Sequence, residues 1–582
     1  MRPTLRFGVM CNGDLLEAAF ADAIRELLRV DGVELALVIV DADPPARSTR
    51  AEKLRKLATF QVALWAAYQR AFPLRELPCY RPTDMSDVFA GVPRIECSTV
   101  RKGRFSQYFR PEDVEAIRAH RLDFVLRFAF GIVRGEILQV PTYGVWSYHH
   151  GDELKYRGAP PAFWEIYDGE PVTAAILQRL TDRLDGGVVL QKCFLPTRRH
   201  SYAENLSTLV RATSYMPARV ARDIQNGCAH YLDAPPSRTD APIYRAPNDF
   251  QMLLFLARMG GAWLRRQLRA VLFSESWNVG IVQAPIETFL RPGARPPVRW
   301  LPDARRNAFV ADPFVLRTGD GALVTMEQFD DFANRGIIVQ VDVRDGSPAS
   351  PIRAAIDEAG VHMAYPYLLE HEGRIYCVPE VADRKGVYLY AYDPERRRWT
   401  EAARLVDGLP AVDPTIVRHG DRWWLFCTHR DDEVECKLLL WHAPDLFGPW
   451  EPHPGNPVKV DVRSSRPAGT PFVHEGTLYR PAQNSSLTYG GSITISRVAR
   501  LTPTEFREEP VLQLGPRTDG PYSLGTHTLA GSGPLTVIDG KRLAFAPALV
   551  GRRVLHKVRR AGQLLARRGG AAPEAEEAAA GR

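Results

Sequence analysis

"DFVLRFAFGIVRGEILQVPTYGVWSYHHGDELKYRGAPPAFWE" runs from Asp123 to Glu165. "DFVLRFA" reads as a strand, and a second apolar run ends in the adjacent histidines His149 and His150. A glycine turn, the acids Asp152, Glu153 and Glu165, the pair Arg157-Gly158 and a second tryptophan follow at once. Solvated loops rarely gather so many aromatic and polar groups, so the stretch predicts a site at the end of a strand. Upstream, "LRFGVMC" (5–11) is a short apolar strand followed by a helix over about 14–29. "VELALVIV" (33–40) has the continuous apolar character of a buried parallel strand. A helix-like segment covers 50–71, and Arg110-Pro111-Glu112-Asp113 starts another, with proline in the first turn and acids near the N-terminus. Strand–helix alternation of this kind predicts a parallel sheet that binds ligands at the carboxyl ends of its strands.

At 582 residues the chain exceeds one hydrophobic core. The eight cysteines show no CxxC pair and no metal-type spacing, so they read as packed, reduced thiols and no metal site is expected. The start, "MRPTLRFGVMCNGD", lacks the apolar stretch of a signal peptide, and "ELALVIVDAD" (34–43) is too short to span a bilayer. A cytoplasmic protein is the expectation. The net charge of +7 is mild, but arginines concentrate in "WLRRQLRAVLF" (263–273) and "RRVLHKVRRAGQLLARR" (552–568). In the second segment Val554, Val558, Ala561 and Leu565 fall on one helical face. Two such segments suit an anionic membrane surface at the inner face of a membrane, or else helices docked with a solvated basic side. The tail after Arg568 is low-complexity and reads as disordered.

From about 276 the chain changes to short aromatic strands with a repeat aligned on proline. "DPFVLRTGDGALVTME" (from Asp312), "YPYLLEHEGRIYCVPE" (from Tyr365) and "DPTIVRHGDRWWLFCT" (from Asp413) match without gaps. "TPFVHEGTLYRPAQ" (from Thr470) matches with a shorter turn, and "PLTVIDGKRLAFAPA" (534–548) is a weaker copy. Each unit is strand, turn, strand, the pattern of propeller blades. The expected organisation is a Rossmann-like α/β domain (1–205), a helical connector (206–275), an all-β five-bladed propeller (276–550), and a basic helix with a disordered tail (551–582).

The stretch around the histidines, together with "ILQRLTDRLDGGVVLQKCFLP" (176–196), resembles the 10-formyltetrahydrofolate-dependent formyltransferases. The resemblance spans about 90–200 and, more loosely, reaches residue 1. It implies that His149 and Asp185 are catalytic, with 10-formyltetrahydrofolate as co-substrate. Phe130, Gly131, Ile132 and Val133 match the loop that cradles the pterin, and Arg157-Gly158 match the family's "RG" pair. An amine attacks the formyl carbon, so an oxyanion needs stabilising and a proton must leave nitrogen, work suited to a histidine and a carboxylate. One position departs: the family's asparagine is Ser147 here. A serine hydroxyl reaches less far, and loss of one oxyanion donor costs about 10²–10³ in rate. Either His150 or Asp152 compensates, or transfer is impaired. The phosphate turn of the ribonucleotide enzyme and the tRNA-gripping domain have no counterpart, which disfavours nucleic acid as a partner.

The repeat region resembles the N-terminal domain of plant glucosamine inositolphosphorylceramide transferases. The matching stretches are "ADPFV", "HMAYPYLLEHEGRIYCVPE", "VDPTIV", "GTPFVHEGTLYRPAQN" and "GTHTL". It is more distantly similar to five-bladed glycoside hydrolases. That implies a glycan site lined by Asp312, Asp413, Glu380 and Tyr365. Thr470 stands where a fourth-blade acid is expected, which argues against hydrolysis. The resulting expectation is formyl transfer to the amine of a sugar or glycolipid precursor in surface-polysaccharide assembly. Two alternatives stay open: hydrolysis of formyltetrahydrofolate, or a non-catalytic formyl domain attached to a glycan-recognising propeller.

Overall fold

The computed structural model describes residues 3–43, 62–102, 106–183, 186–304, 307–319, 321–546 and 550–551. The first half is built on a seven-stranded sheet of β1 (Leu5–Cys11), β2 (Val33–Asp41), β3 (Arg94–Cys97), β4 (Phe124–Arg127), β5 (Val145–His149), β6 (Val172–Arg179) and β7 (Val188–Pro196). Their order is β7-β6-β5-β4-β1-β2-β3. β5, β4, β1, β2 and β3 are mutually parallel, and β6 and β7 join antiparallel. Successive side chains alternate between two cores, as the twofold period of a strand requires. Phe7, Val9, Phe124, Leu126 and Trp146 enter one, and Met10, Leu37, Ile39, Val125 and Val145 the other. In the first, Phe124 stacks on Trp146 at 3.9 Å.

The helix Pro111–Ala119 begins with proline and two acids, as expected. The described part of the segment expected helical over 50–71 is a helix from Ala63 to Ala71. The helix Tyr202–Arg211, which straddles the expected boundary at 205/206, and the helix Met216–Gln225, within the expected connector, bury Leu206, Leu209, Met216, Val220 and Ala221 in the first core. The long helix Asp249–Leu272 follows and continues directly into a strand at Phe273.

Among the described residues the second half forms five antiparallel sheets of four or five strands, an architecture of the β-propeller type. The proline-aligned repeats form the first two strands of four of them: Ala308–Thr318 with Gly321–Asp330, Ala364–His371 with Arg374–Glu380, Ala411–His419 with Arg422–His429, and Phe472–His474 with Thr477–Asn484. The fifth sheet pairs Leu535–Phe545 with Leu529–Ser532 on one side and with Phe273–Val282 on the other. Strands from both ends of this half therefore share one sheet, with Phe273 opposite Phe545. Of the expected basic helix and tail, 551–582, residues 552–582 lie outside the described residues.

Candidate active site

β4 and β5 lie side by side and end in Arg127 and His149. Both residues line a cleft of about 160 Å³ together with Gly131, Ile132, Val133, Arg134, Ser147, Gln178 and Thr181. The buried Ser147 does not present an unengaged hydroxyl to the cleft. Its Oγ accepts from Arg127 Nε at 3.2 Å and from Nη2 at 2.7 Å. Arg127 Nη1 donates to the carbonyls of Phe130 (3.0 Å) and Gly131 (2.8 Å), which fixes the guanidinium across the loop after β4. Burial lowers the Arg127 pKa from its ordinary value. The sequence reading missed this residue, although its signal was a single positive charge in the apolar stretch "FVLRFA".

His149 Nε2 lies 2.9 Å from the carbonyl of Tyr156. A carbonyl only accepts, so Nε2 carries a proton in this contact and Nδ1 is the ring nitrogen turned away from it. His150 stacks on Tyr148 at 5.7 Å. Burial, followed by the neighbouring His149 charge, pushes its pKa down to about 4, so it is neutral near pH 7. Its buried Nε2 has no hydrogen-bond partner among the described residues. Asp152 and Glu153 both pair with Lys192, at 2.8 and 2.9 Å. Glu165 is buried, which pushes it up to about 8.

The other expected site residues divide. Gly131, Ile132 and Val133 line the cleft, whereas Phe130 packs on Phe109 at 4.9 Å. Arg157 and Gly158 are outside the cleft lining and form a two-residue ladder with Ile243 and Tyr244. Gly158 adopts φ +91°, and a Cβ there would meet the Tyr244 carbonyl oxygen at 2.2 Å, so this crossing requires glycine. Asp185 lies outside the described residues.

In the second half, Asp312, Tyr365 and Asp413 occupy equivalent positions, all before proline and all at φ between +45° and +52°. At each of them the strand pairing shifts register. The bulge turns these side chains together, and Asp312, Glu327, Glu380 and Asp413 converge with all four buried. Asp413 is held by Arg466 Nε at 2.5 Å and Gln483 Nε2 at 2.8 Å, and its own N–H donates to Glu380 at 3.2 Å. The Tyr365 hydroxyl is bracketed by Thr415 Oγ1 (3.0 Å) and the Gly469 N–H (2.7 Å). These two residues tie inner strands of different sheets together. Burial raises Glu380 to about 8 and Asp312 to about 6, the latter partly countered by His527.

His527, which the sequence reading did not select, stacks on Trp277 at 4.0 Å. Its Nδ1 is hydrogen-bonded to Asp539, and its Nε2 is 3.5 Å from Asp312. Although burial opposes it, the charges of Asp539 and Asp312 raise the His527 pKa. Asp312, His527 and Asp539 each place one ligand-type atom within 4.8 Å of the others, a set able to hold a cation. The only cue to His527 was its place in "GTHTL".

Comparison with known proteins divides the chain in the same way. Residues 302–519, less than half the chain, match the family model for the N-terminal region of glucosamine inositolphosphorylceramide transferase 1. The rice (Oryza sativa subsp. japonica) protein of that name is 32% identical over 250 residues, covering 40% of this chain and 33% of that protein. The match thus spans a third of that relative's length. The N-terminal part resembles formyltransferases: methionyl-tRNA formyltransferase of Xylella fastidiosa (strain M23) is 29% identical over 126 residues, or 22% of this chain and 38% of that enzyme. Among solved structures, an exo-β-1,3-galactanase from Clostridium thermocellum aligns with a TM-score of 0.29 at 11% identity, over 37% of this chain and 53% of its own.

Proposed function

We propose that the protein transfers a formyl group from 10-formyltetrahydrofolate to an amine on a sugar or glycolipid precursor. The observation that carries this reading is the placement of Arg127, anchored on Ser147, beside His149 at the carboxyl ends of two parallel strands. On this reading the pterin lies against the Gly131–Val133 side of the cleft, where glycine leaves the backbone exposed. When the formyl carbonyl is attacked, Arg127 stabilises the growing negative charge, taking the part of the missing asparagine. His149 Nδ1 accepts the proton leaving the amine, with Nε2–H held by Tyr156, and hands it to folate N10 as the C–N10 bond breaks and tetrahydrofolate leaves. Ser147 is then a positioning residue for Arg127 rather than an oxyanion donor, and Asp152, bound to Lys192, is not free to compensate.

Similarity of residues 302–519 to a glycolipid-modifying family supports assigning acceptor recognition to the second half, read as a five-bladed propeller. Within it Asp312 and Glu380 are the groups to contact a sugar, with Tyr365 and Asp413 holding the strands that carry them.

The test is calorimetric binding of a stable 10-formyltetrahydrofolate analogue, paired with formyl transfer to a panel of amino-sugar acceptors. Arg127→Met should bind the analogue within a few fold of wild type but lose about 10²–10³ in turnover. His149→Ala should also bind, with turnover reduced by about 10²–10⁴. Failure of the wild-type protein to bind at millimolar ligand overturns the folate reading. Formate release without any amine acceptor points to hydrolysis instead.

A further inference from the structure

The helix Asp249–Leu272 starts in a capping box, in which Asn248 and Gln251 exchange side-chain and backbone hydrogen bonds. Its two buried side chains, Met252 and Phe255, join the first core, and Met259 packs partly against the same core. From Leu256 to Leu272 no residue is buried. At 100° per residue, Phe250, Leu253, Ala257, Leu264 and Leu268 fall in one stripe opposite Met252, Phe255 and Met259. Phe250 is 74% exposed, Leu253 58%, Leu264 51% and Leu268 50%. Leu256 and Trp263 extend this apolar surface on one flank, and Phe273 and Phe545 are exposed at the helix end. An exposed apolar stripe of this length marks an interaction site.

Charge identifies the occupant. After Asp249 the only charged residues of the helix are Arg258, Arg265, Arg266 and Arg269; Arg258 donates to the Tyr167 carbonyl, Arg266 lies 4.0 Å from Glu204 and Arg269 3.0 Å from Glu275, while Arg265 is exposed beside the stripe. A second copy of the chain would set arginines against arginines, whereas an anionic surface complements them. The chain end adds to the argument. The Ala546 N–H donates to the Leu272 carbonyl at 3.0 Å, so Ala546 lies beside the end of this helix. Residues 552–568, outside the described residues, carry six arginines and one lysine and no acid.

We propose that this helix face docks on an anionic lipid bilayer, lying in the interface with its apolar stripe at the headgroup boundary and Arg265, on the flank of that stripe, at lipid phosphates. No helix among the described residues is long and apolar enough to cross a membrane, which matches a surface contact for this one. The inference stands independently of the formyl-transfer reading.

Sedimentation of the full chain with vesicles tests it. The protein should pellet with phosphatidylcholine vesicles containing about 30% phosphatidylglycerol, weakly with phosphatidylcholine alone, and less at high salt. Leu264→Glu with Leu268→Glu should lower the partition coefficient about tenfold or more. Because both positions are exposed, the thermal melt of this variant should match wild type. Equal pelleting of variant and wild type overturns the proposal, as does no pelleting with either vesicle. Wild-type self-association abolished by the same variant, without vesicle binding, assigns the face to a second copy instead.

Discussion

At the scale of single residues, buried ionisable groups set the pH behaviour of the propeller half. Burial lifts the Glu380 carboxyl to about 8. An unfolded chain ionises the same group near the ordinary value of about 4.3. A raised carboxyl favours the folded state below the unfolded pKa, and that contribution is lost as pH rises through the folded value. The decline therefore falls between about pH 4 and pH 8. Glu380→Gln keeps an acceptor for the Asp413 N–H, at present 3.2 Å from Glu380 Oε2, and removes the titration. Its stability relative to wild type should rise from pH 5 to pH 8, as read by urea unfolding at both values; an unchanged difference would show that Glu380 is not held protonated. Legibility at this scale was uneven. His149 could be found because its neighbours in sequence are also its neighbours in space. Arg127 carried a local signal, a charge in an apolar strand, but its meaning depends on Ser147, twenty residues away and across a strand pair. His527 meets Asp312 from 215 positions away, and nothing local announces that contact.

Among the elements, the third and fourth sheets of the propeller half are joined by a buried ion cluster. Arg480 reaches Glu508 at 2.6 Å, Lys459 reaches the same carboxylate at 2.8 Å, and Arg480 also donates to the Ser465 carbonyl at 3.2 Å. Burial alone would raise Glu508, yet Arg480 and Lys459 outweigh it and hold it at about 2. This depressed carboxylate contributes fully above its unfolded pKa and is lost as pH falls toward 2. Glu508→Gln should cost about 3–5 kcal/mol at neutral pH, because it strands a buried guanidinium. The loss should shrink in acid, and denaturant unfolding at pH 7 and pH 3 checks both statements. A cost below about 1 kcal/mol at pH 7 would place the cluster with weakly coupled surface pairs. The strands themselves were legible, since the prolines of the repeat aligned four strand pairs that the structure shows paired. What the repeat did not reveal is the positive φ at Asp312, Tyr365 and Asp413. The residue before proline normally adopts extended backbone, so a bulge there follows from the packing of neighbouring sheets and not from local preference.

For the whole molecule, the two halves are fastened through the helix Met216–Gln225. Arg219 is bound to Asp223 at 2.9 Å and donates to the Pro457 and Gly455 carbonyls, while Arg222 reaches the Asn456 carbonyl at 3.4 Å. The Val462 N–H donates to the Phe194 carbonyl at 2.9 Å, and the Arg463 guanidinium sits 3.9 Å over the Phe194 ring. Arg219→Ala should uncouple the halves and leave Asp223 buried beside Tyr231. Calorimetry should then resolve two transitions where wild type shows one, and a single transition at unchanged temperature would mean that the contact does not couple them. The sequence by itself determined the strand periodicities, the two architectures, the repeat and the position of His149. Each of these depends on residues within a few tens of positions, where propensity and burial pattern act directly. Only the tertiary structure decided that Arg127 is bonded to Ser147, the position where an asparagine was expected, that Asp413 and Tyr365 tie strands together, and that the helices after 202 belong to the first core. Among the described residues, one face of the long helix is also exposed. These features depend on pairings between distant segments, and such pairings are set by how whole sheets and helices exclude water from one another, which no local stretch encodes.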